Sequence, residues 1–214
     1  ISGKTKARAS IGDLSAGFFR TFPFLSLQLS DVTIRDSLWK QHDKTFFKAR
    51  EVYLRVKVLN IFRRQGMVDK VLVENGRLHL HSDSTGFDNM YILRSGKTGK
   101  ENNSFIPHVL LKRTEIIFEN PGRNKLYHLN VHKLACDNVE KNNFRTFSIN
   151  TGLRVKAMAF NTQKGSYLEN KNLKGEFQLT YNQANKQLSF NDIMLQIDGE
   201  RFNCTGNFSL DTSA

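Results

Sequence analysis

Hydrophobic positions in this chain alternate with polar ones at period two far more often than they recur at helical spacing. Leu25, Leu27 and Leu29 set one face of a strand, the phase slips at Ser30-Asp31, and Val32 and Ile34 resume it. Side chains on a strand change face at every step, so a one-residue slip predicts a β-bulge. Val52, Leu54, Val56 and Val58 then share a face while Tyr53, Arg55 and Lys57 take the other, as in a half-buried antiparallel strand. Val71 and Val73 lead through Asn75-Gly76 to Leu78 and Leu80, and that dipeptide reads either as a hairpin turn or as a bulge inside one long strand.

The same pattern fills the second half. Ile116 and Phe118 precede the turn Asn120-Pro121-Gly122, and Tyr127, Leu129 and Val131 follow it. Further strands are predicted at Phe147 and Ile149 and over 153–159, 177–181, 188–197 and 202–210. Turns are expected at Asn150-Thr151-Gly152, 182–185 and Asp198-Gly199. About ten strands with short connections predict a meandering antiparallel sheet and a mostly β chain. Only 15–22 and 59–65 suit helices, each too short to organise the fold, and both are expected as covers on the sheet. The stretch 94–104, rich in Gly, Lys, Thr and Asn, reads as a loop or boundary between sheet-forming regions 1–93 and 105–214.

Composition narrows the class. With 39% hydrophobic residues and 17 Phe among 214 residues the chain can bury enough area to fold. A formal charge of +12 favours an anionic partner such as phospholipid headgroups or nucleic acid. The basic residues are spread over the whole chain rather than gathered on one element, which weakens the nucleic-acid reading. No window reaches the ~18 consecutive apolar residues of a membrane-spanning helix, and no signal-peptide core is visible near Ile1. The abrupt ends suggest a piece of a longer protein. Cys136 and Cys204 lack metal or redox spacing and read as two buried thiols, with a disulfide as the alternative.

Candidate chemistry is sparse. Gly96-Lys97-Thr98 resembles the end of a phosphate-binding loop, but Tyr91 stands where that motif requires glycine. His79 and His81 share a strand face and could begin a metal site, yet no third or fourth ligand is identifiable, so they read as solvent-facing polar residues. His128 and His132 have no obvious carboxylate partner. No hydrolase or metalloprotease motif occurs, so no catalytic residue, metal or cofactor is assigned and the chain reads as a non-enzyme. The aromatic cluster Phe18, Phe19, Phe22 and Phe24 beside Arg20 is either a plug closing the end of the sheet or a membrane-interface contact.

These stretches carry a resemblance. Gly12-Asp13, Phe18-Phe19, Phe22-Pro23, the strand Leu25 to Leu29 with Asp31-Val32, and Ala49-Arg50-Glu51-Val52 run in the order found in the AsmA-like proteins of the Gram-negative envelope. The likeness continues through Ile61-Phe62, Gly66 and the run Val71 to Leu80, to Asp83, Gly86 and Asn89, so it covers roughly the first ninety residues. The usage of Phe-Pro and Asn is similar to that of the Bacteroidetes branch. The resemblance implies an elongated, strongly curved sheet, groove-like and partly closed, with an apolar inner face. It also implies a periplasmic protein held to the inner membrane by a helix preceding this sequence, working in outer-membrane biogenesis and handling phospholipid or another envelope lipid. Val52, Leu54, Val56, Val58, Val71, Val73, Leu78 and Leu80 are the expected groove lining, and Phe18, Phe19, Arg20, Phe22 and Phe24 the expected membrane contact. The competing expectations are a scaffold that binds outer-membrane assembly components through its sheet edges, and a basic β-domain for carbohydrate or nucleic acid.

Overall fold

A computed structural model describes residues 7–17, 24–57, 68–94 and 106–209 of the chain. Eleven strands form one sheet in the order β1-β3-β4-β5-β6-β7-β8-β9-β10-β11, and β2 lies beside β1 on the free side of β3. The strands are β1 (Arg8–Ser10), β2 (Asp13–Gly17), β3 (Phe24–Arg35), β4 (Phe47–Lys57), β5 (Val68–His81), β6 (His108–Asn120), β7 (Lys125–Lys141), β8 (Phe144–Ala159), β9 (Leu168–Asn182), β10 (Gln187–Ile197) and β11 (Glu200–Ser209). Among the described residues two four-residue helices are present, α1 (Trp39–His42) and α2 (Tyr91–Arg94). No described helix is long and apolar enough to cross a membrane.

The mostly β expectation holds, with differences of detail. One pair, β5–β6, is parallel, and it joins the two sheet-forming regions edge to edge across the 94–104 stretch. Ser15 to Gly17 belong to β2 and not to a helix: they pair with β3 through Ser15↔Gln28, Ala16↔Leu27 and Gly17↔Ser26. Asn150-Thr151-Gly152 is not a turn, since β8 runs straight through it. Here pairing to both neighbours outweighs the local turn signal: Asn150 faces Ala135 and Glu176, and Gly152 faces Lys133 and Lys174. The expected turns at 120–122 and Asp198-Gly199 are present, the latter with φ of 47° and 99° as a tight hairpin requires. The second predicted helix, 59–65, lies outside the described residues.

The phase slips have a common cause. Asp31, Asn75 and Arg113 each adopt a left-handed φ, 51°, 51° and 47°, and the register to the neighbouring strands is the same on both sides of each. Asn75 therefore lies inside the continuous strand β5 and not at a hairpin turn. The three residues sit at matching positions on β3, β5 and β6 and form a line across the sheet. Neighbouring strands change phase together along it, so Leu29 and Val32, Val52 and Ala49, and Val73 and Gly76 keep to one face with no shift of register.

All the alternation consequently resolves onto one face. Cross-strand partners Leu29, Val52, Val73, Leu111 and Leu134 carry it from β3 to β7, and past Thr151 and Gly175 it resumes at Leu195 and Phe202 on β10 and β11. The opposite face is polar: the adjacent row runs Ser30, Glu51, Glu74, Lys112, Lys133, Gly152, Lys174, Gln196, Arg201. Among the described elements the strands pack chiefly against their hydrogen-bonded neighbours. What is fully buried there is small. Val32, Ala49, Val52 and Val73 form one cluster, and Val131, Leu153 and Val155 a second. Larger neighbours such as Leu54, Leu111, Leu129 and Phe47 are only half-buried.

Candidate functional site

The apolar face is the first candidate site. Val52, Leu54, Val56, Val71, Val73, Leu78 and Leu80 all point onto it: Val52, Leu54 and Val56 oppose Leu29, Leu27 and Leu25, while Leu78 opposes Phe47 and Ile116. Val52, Val56 and Val73 are buried by their neighbours, and Leu54, Val71, Leu78 and Leu80 keep part of their surface exposed. Val58 lies outside the described residues, as do Phe18, Phe19, Arg20 and Phe22. Phe24 begins β3, half-buried, with the Arg55 guanidinium 4.7 Å above its ring. Arg55 and Lys57 also grip Asp69, at 2.5 and 3.0 Å. Burial alone would raise the Asp69 carboxyl, but hydrogen bonds from Lys57 and Arg55 outweigh it and hold the group below the ordinary carboxylate range. Cys136 and Cys204 are both half-buried and free, and burial, with Asp137 alongside, pushes the Cys136 thiol up.

The second candidate lies on the polar face at one end of the sheet, where sequence reasoning misjudged the environment. His79 and His81 are not solvent-facing: side-chain exposure is 13% and 6%. The segment 82–94 and α1 fold over them. Asn89, fully buried, joins that segment to β5 by accepting the His81 backbone N–H at Oδ1 (2.8 Å) and donating Nδ2–H to the His79 carbonyl (2.9 Å). Glu119 of β6 approaches His79 Nε2 at 3.1 Å and His81 Nδ1 at 3.0 Å and pairs with Lys44. Buried Asp36 accepts from Leu38 N–H and from His42 Nε2 (3.0 Å), while His42 Nδ1 accepts from Lys44 N–H. The last bond fixes the His42 tautomer with its hydrogen on Nε2. Phe87 packs between His42 and Tyr91, and the Tyr91 hydroxyl accepts Ser37 N–H.

Electrostatics here are set by burial. Desolvation lowers His79 and His81 below the ordinary imidazole value; Glu119 opposes this for both and Lys44 reinforces it. Glu119 would rise on burial, but Lys44 and the two imidazoles hold it down. Among the described residues no group of three or more His, Cys, Asp or Glu is arranged to hold a metal ion. His128, expected to lack a carboxylate partner, has one in Glu115 at 2.7 Å, supplied by the neighbouring strand. His132 is exposed. The cluster is therefore a polar clamp that ties β3, α1, β5, β6 and the 82–94 segment together.

A third feature is a string of open depressions along the polar face of β7–β11, of about 820, 550 and 300 Å³. Neighbouring depressions share Gly152, Lys174 and Gln196, then Asn150 and Glu176. The lining is exposed amide and charged side chains, with no buried acid or base positioned for proton transfer. Comparison of the chain with protein-family models, with curated proteins and with solved structures finds no match.

Proposed function

We propose that the chain handles envelope lipid without turnover, as a protein of AsmA type, by receiving acyl chains on the apolar face of its sheet. The observation that carries this reading is an apolar face running through β3–β7, with Leu195 and Phe202 on the same row of β10 and β11, whose larger side chains such as Leu54, Leu111 and Leu129 stay half-exposed. A face of half-buried Leu, Val, Ile and Phe gains about 25 cal/mol per Å² when an apolar ligand replaces water. The same reading assigns the protein to the periplasm, tethered to the inner membrane, with phospholipid or a related envelope lipid as its partner. A scaffold for outer-membrane assembly would be expected to fill its own interior, and the half-exposed face favours lipid over it.

Native mass spectrometry of protein purified from cells, with uptake of a fluorescent phospholipid from dilute solution, tests the proposal. Co-purified lipid, and uptake reduced severalfold by Leu54→Asp with Leu80→Asp, is the expected outcome. Protein that carries no lipid and takes up none would overturn it.

A further inference from the structure

The end of the sheet where β6 turns into β7 and β8 into β9 carries four rings in series. Phe118 and Tyr127 stack at 5.4 Å, Tyr127 meets Phe160 edge to face at 5.6 Å, and Phe160 meets Tyr167 in the same way at 5.3 Å. Phe118 and Tyr127 are register partners in the row of Leu80, Met158 and Leu168, so the ladder prolongs the apolar face to its rim. It ends in the open: Phe160 is 52% exposed and Tyr167 67%. The tips that hold it are braced by Thr162 N–H to Asn124 O (2.7 Å), Tyr167 N–H to Met158 O (2.9 Å) and Met158 N–H to Ser166 Oγ (2.7 Å). Two large rings are thus fixed in water on a rigid platform.

Cations surround them. Arg123 and Lys164 project from the two tips, and Lys125 opens β7 beside them. None of the three forms an ion pair within the described residues. Of the acids at this end, Glu119 is engaged by Lys44, Glu169 lies on β9 two residues from Tyr167, and Asp83 and Asp88 line a depression with Arg123 without an ion pair to it. The amide of Asn161 is turned to its own backbone, taking Gln163 N–H at 3.0 Å, so it is not presented as a sugar-binding group.

We propose that this end of the sheet, centred on Phe160 and Tyr167 and rimmed by Arg123, Lys125 and Lys164, is a docking surface for an anionic lipid bilayer. Aromatic rings settle at the headgroup level of a bilayer, and cations beside them meet the negative surface. The surface is distinct from the Phe18 to Phe24 cluster, and bilayer docking does not depend on lipid entering the apolar face.

Sedimentation with vesicles of phosphatidylglycerol and phosphatidylcholine tests it. The protein should bind the anionic vesicles, ignore pure phosphatidylcholine, and be released by high salt. Arg123→Glu with Lys164→Glu should weaken binding at least about tenfold, since each lost contact is worth roughly fivefold before the added repulsion. Phe160→Ser with Tyr167→Ser should weaken it comparably with thermal unfolding unchanged, and Phe144→Ser, exposed at the opposite end of β8, should not. Should the aromatic pair unfold the protein, the folded charge variant decides: lost binding supports the surface and retained binding overturns it. Wild type that ignores anionic vesicles, or an equal loss from Phe144→Ser, also overturns it. So does aromatic substitution that spares vesicle binding but abolishes retention on an insoluble glucan, the mark of a sugar platform.

Discussion

On one face of this sheet the row from Leu29 to Phe202 is apolar except at Thr151 and Gly175, and its larger side chains are half-exposed. On the other, around Asp36, His81 and Asn89, α1 and the 82–94 segment seal polar groups away from water. A protein that folds for its own stability alone does the reverse, covering its apolar surface and hydrating its charges. Asn89 and Asp36 supply hydrogen bonds to the sealed groups, while the buried Asp36 Oδ2 and Ser82 Oγ are left without a partner among the described residues. The chain thus spends its few covering elements on the polar side. That division is what a sheet needs if its apolar side is reserved for something that arrives from outside.

The largest effect that separates true core from half-exposed surface lies within the apolar face. Val131, 2% exposed between Thr114 and Leu153, is among the most enclosed side chains of the described residues. Val131→Asp buries an unpaired carboxylate and is expected to cost about 4 kcal/mol or more in urea unfolding. Leu54→Asp, on a half-exposed row of the same face, should cost roughly 1 kcal/mol while removing lipid uptake. Equal losses at both positions would mean that the face is ordinary interior.

On the polar side the corresponding change is Asn89→Ala. It deletes the acceptor for His81 N–H and the donor to His79 O in a fully buried setting, which is worth about 2–3 kcal/mol. The loss should be local. Hydrogen exchange is expected to quicken through 82–94 and leave the amides around Val131 and Val155 protected. Uniform acceleration would show that both faces belong to one cooperative core.

How much of this could be read from the sequence depends on range. Alternation is local, so the strands, the slip at Ser30-Asp31 and the apolar side of Val52 and Val73 were all legible. Asn75-Gly76 was left open because a turn and a phase change inside a strand use the same left-handed residue, and only pairing on both sides decides between them. The parallel β5–β6 pair was not legible, since alternation specifies a face and not a partner or its direction. Nor was the burial of His79 and His81. A His-Leu-His run looks the same whether its polar side meets water or a cap built from Asp36, His42 and Asn89, residues up to 53 positions apart in sequence. The lone useful signal was Asn89 itself, an amide near the end of an otherwise loop-like segment.

The smallest predicted effect is the acid response of the clamp. His79 and His81 titrate below their ordinary value of 6.5 in the folded protein, because burial disfavours their charged forms. Below that pH the unfolded chain therefore binds more protons than the folded one, and stability falls as pH falls. Glu119, held below its ordinary 4.5, acts in the same direction at lower pH. The charged and titratable groups acting on the two imidazoles are Glu119, Lys44, Arg77, His42 and, at His81, Asp83. Lys44 already occupies Glu119, so a second positive charge gains little compensation there. Between about pH 7 and 5, exchange at 82–94 is expected to accelerate while the apolar face keeps its protection. His81→Gln should flatten the response, because an amide has no proton to take up. An acid response of equal size around Val131, or one unchanged by His81→Gln, would place the titrating groups elsewhere and remove the contrast between the two faces.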